Sequence, residues 1–215
     1  MKKLMVFFVC MICAFMLFAC DKPAEGGNNN SGNNSGNNDP QTSETLDKAL
    51  DAKYKGLAKD KTLYLTTIGQ ADVDKVVSLL DDLDMVPGTD YTKKNDLTAA
   101  EVEDGAVVFV VIGTSGKGLG AAGTDLNGEK RRANDFIAKE GITLVVFHVG
   151  GIDRRGDTTD PIIDIVCPKA KVLLVVDGAD DDNKFTNIAK DNSIDLYLFS
   201  KTSKMIAAVK TLLDK

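Results

Sequence analysis

The 215-residue chain reads as an α/β domain: a doubly wound, mostly parallel sheet in flavodoxin-like or Rossmann-like order, a three-layer sandwich built as one domain. Two observations predict it. Residues 106–112 (AVVFVVI) and 172–176 (VLLVV) are unbroken apolar runs rather than alternating ones, the signature of strands covered on both faces by helices. Segments with helical spacing of their apolar residues separate five such strand candidates, and strand–helix–strand repetition gives a parallel sheet.

In chain order, the strand candidates are 62–68, 106–112, 142–149, 171–176 and 194–199. Val73, Val76, Val77, Leu79 and Leu80 recur at spacings of three, four and seven and predict a helix over 71–83. Charged residues surround Ala133, Phe136 and Ile137, which predicts a second amphipathic helix over 125–139. Residues 160–167, 184–190 and 201–213 complete the helical set. A weak edge strand is expected near 90–92, followed by a short helix over 97–102 that Asp96 would cap. Leu46 to Ala52, with Tyr54 and Leu57, are expected to form an N-terminal helix.

The first twenty residues have a different character. Lys2 and Lys3 precede an almost unbroken apolar run from Leu4 to Phe18, and Leu17-Phe18-Ala19-Cys20 closes it. This is the pattern of a secretory signal ending in a lipobox, with Cys20 as the acceptor of lipid. At about fifteen residues the run is short for a membrane-spanning helix, which needs roughly 20. Residues 1–20 therefore predict export and lipid anchoring to a bacterial membrane, with the domain on the extracytoplasmic side. Residues 21–43 are rich in Asn, Gly and Ser and hold no apolar side chain beyond Ala24, so they predict a tether. As a flexible coil it would span roughly 25–30 Å. The remaining 44–215 form the α/β domain.

Loss of Lys2 and Lys3 with the signal takes the net charge from −6 to −8. That balance argues against nucleic acid as a partner. Cys10 and Cys13 would leave with the signal and Cys20 would carry lipid. Cys167 then stands alone as a small buried hydrophobe, with no disulfide possible. One histidine and one cysteine are too few for an ordinary zinc site. No cofactor is predicted. Gly118 to Gly123 match G-x-G-x-x-G, but the match begins several residues past its strand, and no acidic residue ends the next strand.

Ligands of open α/β sheets bind beyond the strand C-termini where strand order reverses, which in a flavodoxin-like order lies between the first strand and 106–112. The loops leaving these strands are Gly69-Gln70-Ala71-Asp72 and the glycine-rich run 113–123. The second reads as an amide nest for an anion or as a close-packed turn. The next loop holds Arg154 and Arg155, suited to gripping a carboxylate or phosphate, or to bridging to Asp153, Asp157 or Asp160. The candidate ligand residues are Gln70, Ser115, Lys117, Gly118, Gly120, His148, Arg154 and Arg155. Ser115 is not in a G-x-S-x-G elbow.

Residues 115–125 (SGKGLGAAGTD) and 148–156 (HVGGIDRRG) resemble an uncharacterised family of bacterial exported lipoproteins. The resemblance covers roughly Thr62 to the end. It implies an exported α/β domain of unknown function and assigns no activity or residue roles. The leading expectation is a lipoprotein that binds a small anionic metabolite and passes it to a membrane transporter or senses it. The alternatives are a cell-envelope interaction module without a small-molecule site, and a hydrolase using His148 as base with Asp157 or Asp177 nearby.

Overall fold

The computed structural model describes residues 46–215. The expected signal over 1–20, with Cys10, Cys13 and Cys20, and the expected tether over 21–43 lie outside the described residues. Six strands form one all-parallel sheet: β1 (Leu63–Ile68), β2 (Thr92–Lys93), β3 (Val107–Ile112), β4 (Thr143–His148), β5 (Val172–Val176) and β6 (Asp195–Phe199). Their order is β2-β1-β3-β4-β5-β6. The chain steps one way from β1 to β2 and the other way from β3 onward, so the reversal falls between β1 and β3, in register from Leu63↔Val107 to Ile68↔Ile112.

The reversal also sorts the helices. Right-handed crossovers in opposite directions must pass over opposite faces. Accordingly α1 (Val73–Asp81) and the C-terminal α6 (Ile206–Leu213) pack with Leu65, Phe109, Phe147 and Leu174 on one face. The helices α3 (Leu126–Ala138), α4 (Asp160–Val166) and α5 (Lys184–Asn192) pack with Val108, Val110, Val146 and Leu173 on the other. Alternate strand residues thus feed two separate cores. This is why the central strands read as unbroken apolar runs.

Three local expectations are corrected. Residues 46–52 do not form a helix; the only helical turn there is a 3-10 turn at Ala52–Tyr54. The segment instead runs along β6, the edge of the sheet. The Asp47 N–H donates to Leu198 O (2.9 Å), and its carboxylate accepts from Ser200 N (2.9 Å) and Oγ (2.7 Å). At the other end of β6, the Tyr54 hydroxyl donates to Asp195 Oδ2 (2.9 Å). An edge strand offers unpaired backbone groups, and this strap uses some of them while Leu50 and Tyr54 enter the core. A hollow of about 470 Å³ remains between strap and strand, lined by Lys48, Asp51 and Leu196 among others.

Second, the short helix after β2 is a 3-10 turn, Ala99–Glu101, and its cap is Thr98 rather than Asp96. Thr98 and Glu101 form a reciprocal capping box, so Asp96 does not cap the turn. Third, the glycine-rich stretch is not an open loop. Residues Gly116–Ala121 form a short helix, α2, capped by Ser115, whose Oγ accepts from Gly118 N (3.2 Å). Cys167 is fully buried, as expected, and burial pushes its thiol up out of the reactive range.

Candidate functional site

The β1–α1 turn divides the strand C-termini into two chemically different halves. Gly69 (φ 103°), Gln70 (φ 63°) and Asp72 (φ 62°) all take left-handed backbone. For Gln70 and Asp72 this conformation carries strain, which tends to be retained where a site is being shaped. The turn is held from below by Glu129 on α3, a carboxylate 2 % exposed. It accepts from Gly69 N (2.7 Å) and Gln70 Nε2 (3.2 Å) and pairs with Arg132 one helical turn later. Arg132 in turn donates to Thr67 O and to Leu97 O (3.1 Å). This buried pair locks α3 to the end of β1.

On the α1 side, the Asp72 carboxylate is 5 % exposed and bound by two cations. Lys75 Nζ lies 3.0 Å from Oδ1 and Arg154 Nε lies 3.1 Å from Oδ2. Two glycines make the space. A Cβ on Gly113 or Gly150 would fall 2.9 or 2.7 Å from Asp72 Oδ2, and one on Gly150 would also strike the Arg154 stem. Lys75 also donates to Val149 O (3.2 Å), a carbonyl approached by the Thr202 hydroxyl (3.5 Å). The group therefore joins the ends of β1, β3 and β4 to the segment entering α6.

On the other side lies a crevice of about 360 Å³ lined by Gln70, Asn95, Asp96, Gly118, Ala121 and Ala122. Gly118 is required by packing, because its Cβ would fall 2.3 Å from Gln70 O. Gly116 and Gly120 have no such neighbour.

The expected site residues thus separate. Gln70 and Gly118 line the crevice together. Ser115 and the Gly118 amide satisfy each other within the chain, so they do not form an amide nest. Gly120 lies inside α2, and Lys117 is exposed on the same helix. Arg154 serves Asp72 through Nε only; its two Nη groups have no partner among the described residues.

Arg155 is a brace rather than a ligand-gripping residue. Its side chain is 5 % exposed and every N–H donor of the guanidinium is engaged. Nε and Nη2 bind Asp160 (2.7 and 3.0 Å), Nη1 and Nη2 bind Asp182 (3.1 and 2.9 Å), and Nη1 also donates to Ala179 O. The guanidinium lies over the Phe185 ring, 5.5 Å from its centroid.

His148 is also structural. It is fully buried, with Nδ1 3.0 Å from Ile112 O and Nε2 3.2 Å from Gly151 O. Burial drives its pKa below the ordinary histidine value, against the two carbonyls that raise it. The ring is fully buried with both nitrogens turned to backbone carbonyls, so neither is presented to a substrate or water as the base of a hydrolase. Among the described residues, no three His, Cys, Asp or Glu side chains cluster to hold a metal.

The sequence places the 69–72 loop at this rim without singling out Asp72 and without identifying Lys75, Glu129 or Arg132 as members. Lys75 lies one helical turn from Asp72, and Arg132 one turn from Glu129. Such i, i+3 pairs at helix starts were the available signal. No curated protein and no solved structure matches the chain. A family model described as a domain of unknown function, DUF6305, matches residues 60–213, from the start of β1 to the end of α6. The chain belongs to the DUF6305 family.

Proposed function

We propose that this chain is an exported lipoprotein, anchored through Cys20, whose α/β domain binds a small anionic ligand at the C-terminal rim of the sheet for delivery to a membrane transporter or for sensing. The observation that carries the reading is Arg154. Its Nε is fixed by a buried carboxylate while both Nη groups have no partner among the described residues. Asp72 offsets one of the two charges of Lys75 and Arg154, which leaves a local positive excess on an acidic chain. A fixed fork with both Nη groups uncommitted suits a carboxylate or phosphate. In this reading the ligand sits on the α1 side of the turn rather than over the glycine helix.

An interaction module gains little support. The large apolar side chains exposed among the described residues are Val86 and Ile152, one after α1 and the other after β4, which do not amount to a patch.

Two measurements test the proposal. In a bacterial host, labelled fatty acid should enter the wild-type chain and be absent from Cys20→Ser. Unlabelled wild type would overturn the anchoring. In thermal-shift assays with a panel of carboxylates and phosphates, at least one anion should stabilise the protein. Arg154→Gln should weaken that anion about tenfold or more, the weight of a charge-assisted bond at roughly 1.5–3 kcal/mol. A panel without a single stabilising anion would overturn the binding reading.

A further inference from the structure

We infer that the crevice between Gln70 and α2 is a second binding site of opposite sign, taking a small ligand that carries a primary ammonium on a short alkyl stem. The Gln70 amide is oriented by its neighbours. Nε2 faces two acceptors, Glu129 Oε1 (3.2 Å) and Asn95 O (3.5 Å), so it must be the nitrogen. Oε1 is left without a donor among the described residues. Asp96 has neither an ion pair nor a hydrogen bond there, and the Thr98 capping box has freed it from helix capping. The nearby Lys94 is paired with Glu101 instead. Asn95 is exposed beside it, and its side chain has no partner among the described residues.

The crevice lining therefore offers amide oxygens and one carboxylate, and no cationic side chain. An ammonium has three N–H donors and one positive charge, matching three acceptor groups, the Gln70 and Asn95 amides and the Asp96 carboxylate, around one negative charge. Gly118, Ala121 and Ala122 form the opposite wall, apolar and without long side chains, where a stem of a few methylenes can lie. The volume of about 360 Å³ is that of a small-ligand site. The crevice is at the β1/β3 reversal, where this class of sheet places its ligands. The buried Glu129–Arg132 pair keeps the Gln70 wall rigid without a ligand.

The test uses full-length protein in a non-ionic detergent, with n-butylammonium as the probe and n-butanol at matched ionic strength as its uncharged counterpart. Saturation-transfer NMR and titration calorimetry read the binding. Butylammonium should bind at least about tenfold more tightly than butanol, and Asp96→Asn should weaken it by about tenfold, the equivalent of about 1.4 kcal/mol. Arg154→Gln, which impairs the anion reading, should leave amine binding unchanged, so the two proposals fail independently. No detectable amine binding, equal binding of butanol, or full binding by Asp96→Asn overturns the inference. Asp96 is exposed and makes no contact on which folding depends, so the variant should keep the wild-type melting temperature.

Discussion

Replacing Arg155 with alanine should cost about 3–5 kcal/mol of stability and lower the melting temperature by roughly 10 °C. The size follows from what remains after truncation. Arg155 joins three segments: its own loop after β4, the first residue of α4 (Asp160) and the β5–α5 connection (Ala179 and Asp182). Without it, Asp160 loses its cation in a half-buried setting, and Ala179 O, under the guanidinium, loses its donor. Asp182 is 59 % exposed, so its share is small. Lysine cannot replace the fork, since one ammonium cannot reach both carboxylates and a carbonyl in plane. Arg155→Lys should therefore recover less than half of the loss in urea unfolding. Arg154→Gln, by contrast, leaves Asp72 with Lys75 and should cost under about 1 kcal/mol.

The same brace sets a pH dependence. Burial pushes the Asp160 carboxyl up, but the Arg155 guanidinium and the Gly156 N–H outweigh it and hold it below the ordinary range. The Arg155 bond does the same to Asp182. A carboxylate whose pKa is lower in the folded protein binds fewer protons there than in the unfolded chain. Its stabilisation is full above the unfolded value near 4 and is lost as pH falls through the folded value. Wild type should therefore lose stability below about pH 4 more steeply than Arg155→Ala, as urea midpoints across pH 2–7 would record. Parallel midpoints in the two proteins would show that Arg155 does not hold these carboxyls down.

The sheet was legible in the sequence because burial on both faces leaves a composition signal that local context cannot mask. The run 107–112 is fully apolar because its alternate residues feed separate cores, and both cores were populated by helices whose spacing was readable. The 46–54 strap was misread for a reason of the same kind. Leu46, Leu50, Tyr54 and Leu57 have helical spacing, but the free edge of β6 offered backbone partners that sequence periodicity does not record. The rim was legible only as a region. Gln70 and Gly118 do share a crevice, and Arg154 does reach the rim. Arg154 and Arg155 are adjacent and identical in chemistry, yet one is saturated and the other half-free. That difference depends on Asp160, Asp182 and Asp72, which come from three separate segments of the chain. His148 was similarly ambiguous, since a lone histidine at a strand end acquires a role only from the carbonyls that reach it.

The glycines give the sharpest test of this distinction. Gly69→Ala should be among the most damaging single-methyl changes in the domain, at about 3–5 kcal/mol. Gly69 has φ 103°, where any side chain is strained by about 1–3 kcal/mol. A Cβ there would also lie 2.4 Å from Gly113 O and 2.7 Å from Thr114 Oγ1. Backbone cannot yield as a flexible side chain can, so forced overpacking adds about 1–3 kcal/mol. The displaced groups matter too. Gly69 O accepts from Ser115 N (3.0 Å), and Gly69 N donates to Glu129, so the ends of β1 and β3 would move apart beneath the crevice. Gly120→Ala is the matched control. It lies in α2 with no atom within 4 Å of its added methyl, and alanine there should stabilise by about 0.4–1 kcal/mol by restricting the unfolded chain. Differential scanning calorimetry of the two variants separates a glycine required by packing from one that is merely tolerated. If the two substitutions cost the same, the close β1–β3 approach is not what selects glycine at position 69.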